Sequence, residues 1–285
     1  GECNSNARFM MAQCPLACQS CKESATFSRC AGIQGSKPRV IEDGLYSYYR
    51  SILENTANAR VIAKPKKANV EAEEEEQGWV VSISNFLTKK ECGELMDVAN
   101  KKIGWQPSRA EQNQISLVLN HEGKRTVDLI KRDSSSAICK QEACRSAPPY
   151  KRFLQKLSYA TGIPVSHMEG IEFVHYGYAQ YYGVHHDYHI HDSWRPSGPR
   201  IMTVYLTLSS PTRGGATGFP DLDWLFVDST AGDLLIWPNV QSNEPTKKLS
   251  GMSHEALPVV EGNKYGAYVW IHLYNFEESE KRGCT

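Results

Sequence analysis

Tyr176-Gly177-Tyr178-Ala179-Gln180-Tyr181-Tyr182-Gly183-Val184-His185-His186-Asp187-Tyr188 closes on a His-x-Asp pair. Alternate side chains of an extended strand leave the same face, so His185 and Asp187 point together while His186 points away. A second imidazole completes a three-ligand set, and His254 is the candidate, with Lys264 ten residues beyond it. Two histidines and one carboxylate on one side of a metal leave the opposite positions open. That donor set suits a non-haem Fe(II) centre that binds oxygen and a co-substrate. The pair alone is weak, since short His/Asp pairs arise by chance and a single histidine is most often a satisfied surface or core residue. Its surroundings decide the reading.

Downstream follow Arg200-Ile201-Met202-Thr203-Val204-Tyr205-Leu206, Gly214-Gly215-Ala216-Thr217-Gly218-Phe219-Pro220 and Ala231-Gly232-Asp233-Leu234-Leu235-Ile236-Trp237. Ser253-His254-Glu255-Ala256-Leu257-Pro258-Val259 and Gly262-Asn263-Lys264-Tyr265 then precede Trp270-Ile271-His272. In that order these motifs resemble the catalytic domain of the prolyl 4-hydroxylase family of 2-oxoglutarate/Fe(II)-dependent dioxygenases, over roughly residues 78–276. The resemblance implies His185, Asp187 and His254 as iron ligands, with Tyr182 beside the iron. It implies Lys264, Thr217 and Tyr176 as the anchor of 2-oxoglutarate, and Trp270 as an aromatic lining that pocket. A buried carboxylate without a partner is strongly unfavourable, whereas an ammonium and hydroxyl donors offer it charge-assisted bonds. Arg200 and His272 align with peptide-substrate contacts. Trp194, with Tyr178, Tyr181 and Tyr188, suits an extended proline-rich ligand. The implied activity is Fe(II)-, 2-oxoglutarate- and O2-dependent 4-hydroxylation of proline in collagen-like or hydroxyproline-rich peptides. Succinate and CO2 leave, and ascorbate serves as reductant.

Plainer readings stand beside these. Lys264 reads alone as a surface lysine after Gly262, and Tyr176 and Thr217 as ordinary strand residues. Tyr178, Tyr181, Tyr188 and Trp194 can equally be barrel core. His186, His189 and His191 with Asp192 fit a solvated loop better than a second metal cluster, and His121, His167 and His175 read as structural. Two departures from the family pattern touch the substrate. Ala216 stands where an acidic residue is usual, and the expected Arg-Thr-Ser segment appears as Arg132-Asp133-Ser134-Ser135. The same chemistry on another residue or a small molecule, and a non-catalytic secreted binding protein, are the alternatives.

The 285 residues carry 32 basic and 32 acidic side chains, so no long-range field argues for nucleic acid or an anionic membrane. No apolar run approaches the roughly 18–20 residues that span a bilayer. The first residue is glycine, consistent with an upstream signal peptide or anchor having been removed. Five of nine cysteines fall in the first thirty residues: Cys3, Cys14, Cys18, Cys21 and Cys30. Such density in a core-poor segment reads as a disulfide scaffold of the secretory pathway, in the endoplasmic reticulum or Golgi lumen or outside the cell. Gly1-Glu2-Cys3-Asn4, Cys14-Pro15-Leu16-Ala17-Cys18 and Cys21 resemble the second half of a ShK-toxin-like module that could dock a partner. Two of that family's six cysteines are missing, with Cys30 a substitute partner; zinc ligation by Cys14, Cys18 and Cys21 is the competing reading.

Three regions follow: a cysteine-rich module over 1–30, a linker over 31–77 with a short helix near 46–53 and an acidic run at 71–76, and a dioxygenase domain over 78–285. In the last, Gly78–Ile83 reads as an edge strand, and Thr88 and Glu91 form a capping box ahead of a helix burying Leu95, Met96, Ala99 and Ile103. A second helix is expected over 149–161, with Phe153, Leu154 and Leu157 inward and Gly162 past its end. Strands are expected over 171–175, 201–208, 233–237 and 265–273, and loops at 106–125 and 193–199; the resemblance implies that these loops close over a peptide, with ordinary surface loops the alternative. Helices ahead of a turn-rich run of strands give a mainly β fold with supporting helices (α+β). The double-stranded β-helix, or jelly roll, is what the resemblance implies.

Overall fold

Met202-Thr203-Val204-Tyr205-Leu206-Thr207-Leu208 alternates aliphatic with hydroxyl-bearing side chains, so one strand offers two different faces. The computed structural model builds two layers on it. It describes residue 30 and residues 44–67, 75–108, 115–119, 125–129 and 132–285. The expected cysteine-rich module, apart from Cys30, lies outside the described residues, and with it the docking and zinc readings.

Thirteen strands make the two sheets: β1 (Ala59–Ala63), β2 (Val80–Ile83), β3 (Gln106–Pro107), β4 (Arg132–Asp133), β5 (Ser135–Ile138), β6 (Glu172–Tyr176), β7 (Tyr181–His185), β8 (Arg200–Ser209), β9 (Thr217–Phe219), β10 (Leu225–Val227), β11 (Leu234–Pro238), β12 (His254–Ala256) and β13 (Lys264–His272). The major sheet runs β1-β2-β11-β8-β13-β6-β5-β3 and the minor one β10-β9-β12-β7-β4. Helices α1 (Tyr46–Asn55), α2 (Lys89–Val98), α3 (Glu142–Arg145), α4 (Pro148–Thr161) and α5 (Phe276–Lys281) complete the frame. Among the described residues no helix is long and apolar enough to cross a membrane.

The alternation separates two cores. Met202, Val204, Leu206 and Leu208 of β8 join Val269 and Ile271 of β13 against Ile52, Leu95, Phe153 and Leu157 from the helices. Tyr205, Tyr176, Trp237 and Tyr268 turn the other way, toward Phe219, Val227 and Ala256 of the minor sheet. The result is the jelly roll with helices on one side. The capping box forms as expected, with Thr88 Oγ1 accepting from the Glu91 amide and Glu91 accepting from the Thr88 amide. Helix α4 ends on Gly162 at φ 70°, a left-handed position that glycine fills without strain.

The region expected as linker is only partly one. Tyr49 and Ile52 of α1 are fully buried, and β1 pairs antiparallel with β2. Strand β2 is therefore interior to the sheet, between β1 and β11, and not its edge. Ala59-Arg60-Val61-Ile62-Ala63 is too short to announce a strand without its partner. Part of the acidic run also pairs, Glu75–Gln77 with Lys66–Lys67. Within the expected loop at 106–125, β3 edges the major sheet, and Ile115–Leu119 forms a hairpin with Arg125–Leu129. Residues 193–199 are tied down, since the Leu273 and Tyr274 amides donate to Pro199 and Ser197 carbonyls. Cys30 bonds Cys284, and Cys139 bonds Cys144, so Cys30 is no substitute partner for the module.

If α1 belongs to the folded unit, Ile52→Ala removes a buried side chain from the helical core. It should lower unfolding stability by about 2–5 kcal/mol, read as an earlier denaturant midpoint with an unchanged slope. A linker helix would leave the midpoint where it was.

Candidate active site

Strands β7 and β12 pair with His185 opposite His254, so the backbone register itself puts two imidazoles side by side. Their ring centroids are 4.3 Å apart. Strand β7 ends at His185, and two residues on Asp187 returns to the same side. One ligand atom from each of the three lies within 4.8 Å of the others, and all three side chains are buried. Among the described residues this is the one cluster of histidine, cysteine and acidic side chains placed to hold a metal ion.

Both imidazoles are oriented by the same local device. His185 Nδ1 lies 2.8 Å from the carbonyl of Gly183 and His254 Nδ1 lies 3.1 Å from that of Met252, each two residues back. A carbonyl only accepts, so the proton sits on Nδ1 and the Nε2 lone pair faces inward. Those Nε2 atoms stand 3.7 and 3.3 Å from the Asp187 oxygens, and His254 Nε2 has no hydrogen-bond partner. Lone pairs turned on a carboxylate repel it unless a cation lies between, so the donor set fits a metal ion. Burial, followed by the neighbouring His254, pushes the His185 pKa down to about 3 and keeps it neutral. Burial alone would raise the Asp187 carboxyl, yet it is held well below the usual carboxylate range, with the Arg200 guanidinium among the charges that lower it. Neutral imidazoles and an ionised carboxylate are the protonation states that ligation needs.

Behind the cluster, Thr203 Oγ1 donates to Asp187 Oδ2 at 2.7 Å and accepts from Asn239 Nδ2 at 2.8 Å. Tyr182 stacks on His185 with ring centroids 3.6 Å apart, and the Arg132 guanidinium lies 4.8 Å from the Tyr182 ring. Trp237 packs 4.7 Å from the His254 ring. His186 does point away, its Nε2 2.8 Å from the Leu249 carbonyl. His189 lies 2.9 Å from Arg200 and Asp192 pairs with Arg195, so they make no second metal cluster.

Lys264 begins β13 and is opposite Tyr176 of β6. It is buried, donates to the Gly215 carbonyl at 2.6 Å, and has no carboxylate within ion-pair distance among the described residues. Burial pulls its pKa down to about 8 against the opposing pull of Asp228. Thr217 is buried on β9, in register with Ala256 next to the His254 strand start. The indole N–H groups of Trp237 and Trp270 are buried without a hydrogen-bond partner. Donors lacking acceptors are rare in a folded interior, and together with an unpaired ammonium they fit an anionic, oxygen-rich ligand such as a dicarboxylate.

Arg200 and His272 converge on Glu169, which the sequence reading missed. Arg200 Nε and Nη2 donate to its carboxylate at 2.5 and 3.1 Å, and His272 Nε2 lies 2.8 Å from Oε1. Burial would raise the Glu169 carboxyl, but Arg200 and His272 hold it far below the usual range. The Arg200 guanidinium also lies 4.0 Å from the Trp270 ring. Glu169, Arg200 and His272, with His189, His191 and Lys140, line a cavity of about 360 Å³. Trp194 ends a 3-10 turn at Ile190–Trp194, with its side chain outside the described residues. Tyr178 is exposed and so is not barrel core, whereas Tyr188 is partly buried, packs against the helical core and donates to the Thr246 carbonyl.

Residues 171–272 match the 2OG-Fe(II) oxygenase superfamily. The chain is 27% identical over 247 residues to probable prolyl 4-hydroxylase 10 of Arabidopsis thaliana, covering 76% of this chain and 80% of that one. With prolyl 4-hydroxylase 2 of the same plant it shares 28% over 224 residues, 70% of each. The structure of the viral collagen prolyl hydroxylase vCPH from Paramecium Bursaria Chlorella virus-1 aligns over 68% of this chain and 95% of that chain, at 21% identity and a TM-score of 0.49. Residues 171–272 form a 2OG-Fe(II) oxygenase superfamily domain, and the enzyme class that follows is a 2-oxoglutarate- and Fe(II)-dependent dioxygenase.

Proposed function

We propose that the chain is a peptidyl-proline 4-hydroxylase acting on collagen-like or hydroxyproline-rich peptides. The observation that carries the chemistry is a buried cluster of two imidazole lone pairs and a carboxylate, and a buried lysine without a carboxylate partner among the described residues supports it. Similarity to two plant chains named prolyl 4-hydroxylases supports proline as the target. In this reading His185, Asp187 and His254 hold Fe(II). Lys264, Thr217 and Tyr176 receive the distal carboxylate of 2-oxoglutarate, and Trp270 walls the pocket. Bound there, iron and co-substrate supply oxygen-dependent oxidation of a C–H bond, with succinate and CO2 as co-products and ascorbate as reductant.

The chain's own contribution is position and charge. Thr203 and Asn239 fix the Asp187 carboxylate, and the two backbone carbonyls fix the imidazoles. Tyr182 covers one face of His185. Arg200 and His272, immobilised by Glu169, shape the cavity that takes the peptide. A polyproline II segment enters such a site with little ordering cost. Both disulfides in the described residues suit an oxidising compartment, so we place the enzyme in the secretory pathway.

The test is anaerobic loading with Fe(II) and 2-oxoglutarate, then aerobic turnover with and without a proline-rich peptide, scored by succinate and by one added oxygen on proline. Peptide-dependent turnover that His185→Ala or Asp187→Ala abolishes is expected. Succinate release indifferent to every proline peptide would remove proline as the substrate; no iron-dependent turnover by folded protein would remove the enzyme.

Thr203→Val keeps the shape and deletes the bond to Asp187. It should weaken metal affinity about 10- to 100-fold, measured by competition with a chromogenic chelator. Unchanged affinity would show that this network does not tune the site.

Lys264 gives a pH dependence whose sign is set by its charge. The ammonium that pairs with a carboxylate predominates below about pH 8 and is lost above it. Calorimetric affinity for 2-oxoglutarate should therefore fall as pH rises through that value, and Lys264→Met should flatten the profile. A flat wild-type profile would exclude Lys264 as the anchor.

A further inference from the structure

Ser136-Ala137-Ile138-Cys139-Lys140-Gln141-Glu142-Ala143-Cys144-Arg145 carries strand β5 into helix α3. The Cys139–Cys144 bond closes the turn between them, and both cysteines are buried. The Cys139 amide donates to the Ile171 carbonyl at 2.9 Å, and Arg145 Nε donates to the Cys139 carbonyl at 3.4 Å. Arg145 is itself clamped, its two Nη atoms donating to the Glu280 carboxylate at 2.7 and 2.8 Å. Gly170 completes the mount. A Cβ there would fall 2.4 Å from the Cys139 carbonyl oxygen, so a side chain at 170 would push the turn away from the segment leading into β6.

The residue this mount presents is Lys140, which is exposed. It lies between two cavities. One is the 360 Å³ cavity of Glu169, Arg200 and His272; the other, of about 850 Å³, lies along β3 and β5, and Ile138 and Lys140 line both. Charge in the first is matched: Arg145 by Glu280, Arg195 by Asp192 and Arg200 by Glu169. In the second, Arg132 is matched by Glu172 at 2.6 Å. Among the described residues that line the two cavities, Lys140 is the one ammonium or guanidinium with no carboxylate partner. A surface neutral but for one cation rewards an anionic ligand and disfavours a cationic one.

Backbone pairing sets the spacing. The Glu169 amide donates to the Trp270 carbonyl on one side, and the Ile171 carbonyl accepts from Cys139 on the other, so the turn stands two strand spacings from β13. At about 4.8 Å each, that is roughly 10 Å from the strand that carries His272. A polyproline II segment advances about 3.1 Å per residue, so a side chain about three residues from the target proline falls beside Lys140.

We propose that Lys140 is a specificity-determining residue, selecting peptides that carry an aspartate or glutamate about three positions from the hydroxylated proline. This rests on the reading of the chain as a peptidyl-proline hydroxylase with its peptide in the first cavity. Ile138, 39% exposed, is the apolar ground between the cavities over which the peptide passes. A lysine on a loose loop meets an anion at many spacings. One whose backbone is fixed by a disulfide and a clamped arginine favours few, because less ordering is left to binding.

The experiment uses the Fe(II)-loaded full chain with 2-oxoglutarate and peptides of one target proline, in which glutamate, glutamine or lysine is walked along both flanks. Oxygen added to proline gives kcat/KM for each peptide, and melting temperature controls for folding. In wild type, glutamate should exceed glutamine about fivefold at a position about three residues from the proline, with the ratio shrinking as salt rises. Lys140→Ala should erase the preference, and Lys140→Glu should turn it toward lysine. The same glutamate-to-glutamine ratio in wild type and both variants would overturn the proposal. So would a preference seated beside the proline itself, or variant losses that fall alike on all three peptides and so mark a structural role. Succinate release by wild type without hydroxylation of any proline peptide would instead overturn the substrate reading, and this inference with it.

Discussion

A carboxylate that must stay ionised in a dry interior is the constraint around which this barrel is arranged. Asp187 is 5% exposed, and the groups facing it are two Nε2 lone pairs that offer it no proton. Such a charge is tolerable only with a cation or strong donors close by. One oxygen is met by Thr203, and the bare side of the cluster is where a divalent ion satisfies all three groups at once. Each neighbouring choice then follows. The His185–His254 register brings the lone pairs in, and the Gly183 and Met252 carbonyls fix the tautomers. Asn239 fixes Thr203, and its rigidity passes through two hydrogen bonds to the ligand oxygen.

The strain of assembling so many polar groups is confined to one face of the major sheet. On the other face, β8 and β13 give aliphatic side chains to the helical core, where close packing supplies stability independent of the site. Because strand side chains alternate, both duties are written into the same residues without interference. That separation explains why the inner face can hold unbonded tryptophan donors. Their cost is offset by burial a few ångströms away, and the donors remain available to a ligand.

How much of this was legible in the sequence depended on how local the determinant was. The His185/Asp187 alternation, the Thr88–Glu91 cap and the Gly162 stop are set within a few residues, and the structure has all three. Linked motifs pointed to His254, which joins the buried metal-ligand cluster, and to Lys264, which is buried at the start of β13, although neither spacing is informative alone. Thr203, Asn239 and Glu169 escaped notice because each acquires its role only through non-local register. Glu169 matters because Arg200 and His272 lie opposite each other on adjoining strands. The strand Ala59–Ala63 and the Cys30–Cys284 bond were hidden for the same reason: their partners are far along the chain.

One strand carries the consequence furthest. Lys264, Gly266, Tyr268, Trp270 and His272 occupy alternate positions of β13, an inward row roughly 26 Å long at strand rise. His272 at one end is held by Glu169 and borders the cavity proposed for the peptide, while Lys264 at the other stands where the co-substrate carboxylate is proposed to end. Between them Tyr268 and Trp270 are stacked 5.7 Å apart and nearly parallel, with the Arg200 guanidinium on the Trp270 ring. The distance between the two ends is then set by a hydrogen-bonded backbone flanked by β8 and β6, which side-chain motion cannot change. A reaction that needs peptide and co-substrate held apart by a fixed span across a metal gains most from anchoring both on a single strand. A shift of register by one residue would move every member of the row to the helical core, so this face tolerates substitutions of side chains far better than insertions.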